Sequence, residues 1–112
     1  MDDDLVPAVL LAAGLSRRLG RPKALVKVNG SELVVWVYNR LVKAGCFPVV
    51  VANDDTLASI NRLLPSAHVV VNPEPDAGRT KSLQIGIRAI QRLLDRTPKR
   101  VVMAPVDRPV WN

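Results

Sequence analysis

Apolar and polar positions alternate along this chain in blocks that change period. Residues 6–12 form a short apolar run ending in small side chains, the profile of a strand buried on both faces. Residues 14–23 are polar and basic and carry Gly14, Gly20 and Pro22, which predicts a loop. Residues 24–28 predict a short extended piece turned by Asn29-Gly30. Ser31 is a suitable N-cap for a helix running to about residue 44, with Leu33, Val37 and Leu41 on one face and Gly45 ending it. Residues 47–52 predict the second strand. Asp54 or Asp55 would cap a short helix that carries Leu57, Ile60 and Leu64 and is stopped by Pro65.

The same logic continues to the end. Residues 67–71 predict a third strand and 72–79 a loop rich in Pro and Gly. Thr80 can start a third helix with Leu83, Ile87, Ile90 and Leu94 as its stripe, closed by Pro98. Residues 100–105 predict the fourth strand, followed by Val106-Asp107-Arg108-Pro109. Strands that alternate with helices imply parallel pairing and right-handed crossovers. The expected fold class is α/β: a Rossmann-like three-layer αβα unit with a mostly parallel sheet. Ligands of such sheets sit beyond the C-terminal ends of the strands. That places the loops at 12–23, 72–80 and 106–109 at the expected site.

Composition narrows this picture. A chain of 112 residues supports a single domain, and 48% hydrophobic residues support a real core. Aromatics are only 4%, so that core is aliphatic, as a buried parallel sheet requires. The net charge of +6 is unevenly placed. Arg17, Arg18, Arg21 and Lys23 crowd one Gly-containing segment, while Arg40, Lys43, Arg62, Arg88, Arg92 and Arg96 read as solvated helix faces. No long basic run or aromatic-interleaved patch argues for nucleic acid. The lone cysteine, Cys46, excludes an internal disulfide and reads as a half-buried small residue. The acidic start, Met1-Asp2-Asp3-Asp4, is unlike a secretory signal. No apolar stretch is long enough to span a bilayer. A cytoplasmic protein without membrane contact is the expectation.

Three segments carry candidate chemistry. The first is Leu11-Ala-Ala-Gly-Leu-Ser-Arg-Arg-Leu-Gly-Arg-Pro-Lys23. A polyphosphate needs close backbone approach, which the small residues Ala12, Ala13 and Gly14 allow, together with N–H donors and cations such as Arg18 and Lys23. The segment is neither a Walker loop nor the dinucleotide Gly-x-Gly-x-x-Gly. The second is Asn72-Pro-Glu-Pro-Asp-Ala-Gly78 followed by Ser82-Leu83 and Gly86-Ile87. On its own it reads equally as a turn, a positive-φ glycine and a helix start. The third is Ala104-Pro-Val-Asp107-Arg-Pro109, where a carboxylate after a strand suits Mg²⁺, or simply begins a turn. Asn53, ending the second strand, reads either as a nucleotide contact or as a cap before Asp54 and Asp55. Trp36 and Tyr38 read as packing on the first helix. Neither these, Trp111 nor His68 receives a catalytic role.

The first segment resembles the signature loop of the NTP-transferase superfamily, and within it the MobA-like molybdenum-cofactor cytidylyl- and guanylyltransferases. The second and third segments resemble that family's base-contacting and Asp-x-Pro segments, in the same order. The resemblance implies a nucleotidyltransferase that moves a nucleoside monophosphate from an NTP to a phosphate-bearing acceptor such as molybdopterin, releasing pyrophosphate. CTP is the favoured donor and GTP the alternative. It implies Leu11, Ala12, Ala13, Gly14, Ser16 and Lys23 around the phosphates, and Asn53, Asn72, Gly78 and Ser82 near the nucleotide. Lys23 and Arg18 would offset phosphate charge, and Asp107 would hold Mg²⁺.

The resemblance spans nearly all of the chain but only the N-terminal part of the family domain, so the isolated chain is expected to turn over weakly or not at all. One sheet edge would then lie open to a homodimer contact or a partner chain. The other readings are a truncated, non-catalytic nucleotide-binding module, a relative of the sugar-phosphate or methylerythritol-phosphate nucleotidyltransferases, and a structural α/β subunit that binds no nucleotide.

Overall fold

The structure is a computed structural model and describes residues 5–14 and 23–106. Four strands, β1 (Val6–Leu11), β4 (Cys46–Ala52), β5 (His68–Val71) and β6 (Val102–Pro105), form one parallel sheet in the order β5-β4-β1-β6. A separate two-stranded antiparallel ribbon joins β2 (Lys27–Val28) to β3 (Ser31–Glu32). Helices α1 (Leu33–Lys43), α2 (Leu57–Leu63) and α3 (Arg79–Leu94) connect the main strands.

Side chains that alternate along β1 and β4 divide between two aliphatic cores. Leu10, Ala12, Val50 and Ala52 meet Val34, Val37, Ile60 and Leu64 of α1, α2 and the end of α2. Val9, Leu11, Ala13, Val49 and Val51 meet Ala89 and Ile90 of α3 on the opposite face. Both faces are therefore covered, which is why these strands carry apolar residues continuously rather than every second position. This is the α/β fold that the period changes predict.

The chain steps outward from β1 to β4 and β5, then returns across β1 to β6. Right-handed crossovers require the returning helix to change face, and α3 does so. The strand order thus reverses at β1, and the crevice beyond its C-terminal end is the place where such sheets bind ligands.

Element boundaries differ from the sequence expectations where local hydrogen bonding intervenes. Ser31 does not cap α1: it pairs with Val28 across the ribbon, and the helix starts at Leu33, whose N–H is taken by the Val26 carbonyl at 2.9 Å. Asn29 and Gly30, with φ of 53° and 86°, give the ribbon the primed turn that suits strand twist. The Trp36 indole Nε1 donates to the Val28 carbonyl at 2.7 Å, fastening the ribbon to α1. The third helix stops at Leu94, before Pro98, because Asp95 takes the left-handed conformation (φ 55°), which a short polar side chain tolerates. The final strand then begins at Val102 rather than at residue 100.

Candidate nucleotide site at the strand ends

The register of the sheet brings the predicted residues to one line. Leu11 pairs with Val51, and Val51 with Val70. Two residues further along each strand are Ala13, Asn53 and Asn72, which stand side by side at the C-terminal edge of the sheet. Leu11 also pairs with Pro105. The same count along the sequence after β6 reaches Asp107, which lies outside the described residues. So do Ser16 and Arg18. Lys23 opens a single 3-10 turn, Lys23–Leu25, in which Ala24 is buried.

Backbone bonds extend the ladder past the strand ends. The Ala12 N–H donates to the Val51 carbonyl at 2.9 Å, the Val106 N–H to the Leu11 carbonyl at 3.0 Å, and the Asn72 N–H to the Ala52 carbonyl at 2.8 Å. The start of the Asp107 segment is therefore tied to the end of β1. Ala12 and Ala13 are buried and Gly14 is exposed, so the backbone emerges at the glycine.

Asn53 and Asn72 repeat one device on neighbouring strands. Each is buried, at 2% and 0% exposure, and each accepts a bond from the N–H two residues on. Asp55 N–H donates to the Asn53 Oδ1 at 2.9 Å, and Glu74 N–H to the Asn72 Oδ1 at 2.8 Å. Each amide Nδ2 then reaches another element. Asn53 Nδ2 donates to the Ala13 carbonyl at 3.0 Å, and Asn72 Nδ2 donates to the Ser82 hydroxyl in the first turn of α3 at 2.8 Å. Such side chains hold turns that backbone bonds alone leave open.

The N-cap of α2 is Thr56, which makes no side-chain cap bond, so neither Asp54 nor Asp55 caps the helix as expected; the turn before it is held by Asn53. Its Oδ1 also accepts from the Thr56 N–H at 2.9 Å and from the Thr56 hydroxyl at 3.1 Å. Thr56, fully buried, was not singled out from sequence, although Asn-x-x-Thr before a helix is a legible turn signal. Among the described residues, every buried side-chain nitrogen and oxygen has a partner. The Asn53 and Asn72 side chains are thus turned into the protein, where they shape the edge of the crevice.

Gly78 precedes α3 with φ 96° and ψ 175°, a conformation open essentially to glycine alone. It lets the 3-10 turn Pro75–Ala77 run directly into the helix that carries Ser82. Gly86, part of the same sequence segment, has a different function. A Cβ there would stand 2.5 Å from Val9 Cγ1 and 3.2 Å from Val51 Cγ2, so the missing side chain lets α3 lie against the sheet.

Residues outside the crevice take packing roles. His68 meets Phe47 edge-on, with ring centroids 5.3 Å apart. Cys46 is half-buried at the start of β4, and burial pushes its thiol pKa up, away from nucleophilic use. Among the described residues no helix is long and apolar enough to cross a membrane, and no three His, Cys, Asp or Glu residues cluster as a metal site.

Comparison with known proteins follows the same lines. The nicotine blue oxidoreductase of Paenarthrobacter nicotinovorans is 36% identical over 114 aligned positions, covering 96% of this chain and 53% of that protein. The bifunctional IPC transferase and DIPP synthase of Thermococcus kodakarensis is 34% identical over 84 residues, 70% of this chain and 19% of that protein. The chain thus spans about half of one curated relative and a fifth of the other.

Among solved structures, Rv0371c from Mycobacterium tuberculosis superposes with a TM-score of 0.78 at 22% identity, over 99% of this chain and 56% of that one. The molybdopterin-guanine dinucleotide biosynthesis protein A of Archaeoglobus fulgidus gives 0.59 at 21% identity, over 75% and 42%. Both carry the same fold. Residues 8–112 match the model of the MobA-like NTP transferase domain, and the chain belongs to that family.

Proposed function

We propose that the chain forms the NTP-binding part of a nucleotidyltransferase. The carrying observation is the alignment of Ala13, Asn53 and Asn72 at one level beyond the strand ends, where the order of the sheet reverses. In the proposed reaction an oxygen of a phosphate-bearing acceptor attacks the α-phosphorus of the NTP. The bond from α-phosphorus to the bridging oxygen breaks, and pyrophosphate leaves with the electron pair. An acceptor phosphate is already ionised, so no general base is required.

The protein's contribution is positioning and charge neutralisation. The Leu11–Gly14 backbone lies against the phosphates, with Ser16 beside them and Lys23 and Arg18 offsetting their charge. Gly78 and Ser82, with Asn72 behind Ser82, form the wall toward the base. Asp107 suits Mg²⁺, which takes one or two carboxylates together with phosphate oxygens. The bond from Val106 to Leu11 supports that assignment, because it begins the Asp107 segment beside the phosphate loop. Magnesium would supply charge neutralisation on the phosphates. CTP is the favoured donor and GTP the alternative, and molybdopterin is an acceptor of the required class.

A second reading, that the chain belongs to an oxidoreductase, takes its support from the name of the relative matched over nearly the whole chain. A phosphate cradle separates the two. If Lys23 and Arg18 hold phosphates, CTP or GTP binds more tightly than the corresponding monophosphate, and Lys23→Ala and Arg18→Ala remove that preference. Equal affinity for mono- and triphosphate in the wild-type chain would count against the proposal.

A further inference from the structure

We infer that Asn53 is the positioning residue of the nucleotide loop: it sets the direction in which the chain leaves β1. The inference rests on the nucleotide reading above and names the device that prepares that site.

The bonding phase of β1 changes at its end. Its even-numbered residues bond toward β4, as shown by Val6 N–H to the Gly45 carbonyl and Ala12 N–H to the Val51 carbonyl. Its odd-numbered residues face β6, as shown by the Leu11 carbonyl, which accepts from Val106. In a continued strand the Ala13 carbonyl would also face β6, because the backbone groups of successive residues alternate in direction. Instead it accepts from Asn53 on the β4 side. The peptide after Ala13 has therefore swung across, and Gly14 leaves the sheet at that point.

The clamp itself is rigid. Asn53 is buried, and its Oδ1 is held by Asp55 N–H, Thr56 N–H and the Thr56 hydroxyl. Its backbone N–H donates in turn to Thr56 Oγ1 at 3.2 Å. With the oxygen fixed, the amide nitrogen has one orientation, and that orientation points at Ala13. A buried donor is costly to leave unsatisfied, so the Ala13 carbonyl is held in the bonded geometry before any ligand arrives.

Asn53→Asp separates this role from simply holding the turn before α2. It keeps an oxygen for Asp55 and Thr56 but replaces the donor to Ala13 with a second acceptor. The matched variant is Val37→Ala, which weakens the core under α1 and leaves Ala13, Asn53 and Thr56 as they are. Three readouts are taken on the full chain: titration with Mg–CTP and Mg–GTP, melting temperature, and the Gly14 amide resonance. Asn53→Asp is expected to melt below wild type, because a second acceptor then faces the Ala13 carbonyl, to shift the Gly14 resonance, and to lose about tenfold in nucleotide affinity, the worth of one hydrogen bond to a preset backbone. Val37→Ala is expected to melt lower and bind as wild type does.

Wild-type affinity in Asn53→Asp with an unmoved Gly14 resonance would overturn the inference. So would affinity losses that track melting temperature across both variants. Failure of the wild-type chain to bind either nucleotide would instead overturn the nucleotide reading, and the Gly14 resonance would still report whether Asn53 directs the loop.

Discussion

Gly86 of α3 sits so close to Val9 of β1 that an added Cβ would lie 2.5 Å from one Val9 methyl and 2.9 Å from the other. Both residues lie inside the core between helix and sheet, where Val9 and neighbouring Val51 are fully buried and backed by other strands. Gly86→Ala therefore pushes α3 off the sheet. Alanine regains about 1 kcal/mol of helix propensity, but overpacking of this kind costs about 1–3 kcal/mol, and an overlap this short belongs at the upper end. The expected outcome is a net loss of stability in urea unfolding with an unchanged m-value. A more stable variant would show that the helix shifts freely.

The backbone at Gly78 supports a second prediction. Its φ of 96° with ψ of 175° admits no other residue without strain of about 1–3 kcal/mol. Gly78→Ala should lower the melting temperature and loosen the first turn of α3, where Ser82 is bonded to Asn72. Faster amide exchange at residues 79–82, with the α1 rates unchanged, is the check.

The fold was legible in the sequence because burial on both faces wrote β1 and β4 as apolar runs, and helical spacing wrote α1 and α3. The order of the parallel elements follows from that alternation. The ends were harder to read. Ser31 looks like a cap because Ser caps helices, but the ribbon claims it first. Asp54 and Asp55 look like caps for the same reason, yet the bonds come from Asn53, one residue earlier. Gly86 looked like part of a nucleotide signature, and only the packing of α3 on Val9 shows what its missing side chain does there. At the site, the line of Ala13, Asn53 and Asn72 depends on strand register, which spacing in the sequence does not carry.

Cys46 gives a prediction in pH. Burial raises its pKa, so at any pH near neutral its thiolate fraction falls below that of a free thiol. Labelling by a disulfide reagent should be slower in the folded chain than in urea, with the difference closing as pH rises through the folded value. A raised folded pKa also means that stability is full below the ordinary thiol value of about 8.5 and declines above it. Fast labelling of the folded chain at neutral pH would contradict this.

Strand β6 supports a fourth prediction. Among the described residues it pairs only with β1, and Val102 and Met103 on it are 39% and 48% exposed. An open edge bearing apolar side chains favours pairing with another chain. Concentration-dependent association measured by light scattering is expected for the wild-type chain, and Met103→Lys should weaken it. A wild-type chain that stays monomeric at all accessible concentrations would remove this expectation.

The central claim is that the strand ends bind a nucleoside triphosphate with magnesium. Calorimetric titration of CTP, GTP and ATP, each with and without Mg²⁺, against the wild-type chain and Asp107→Ala tests it most directly. The account predicts magnesium-dependent binding of CTP or GTP that Asp107→Ala abolishes without lowering the melting temperature. Absence of binding by any of the three nucleotides, or binding indifferent to both magnesium and Asp107, would contradict it.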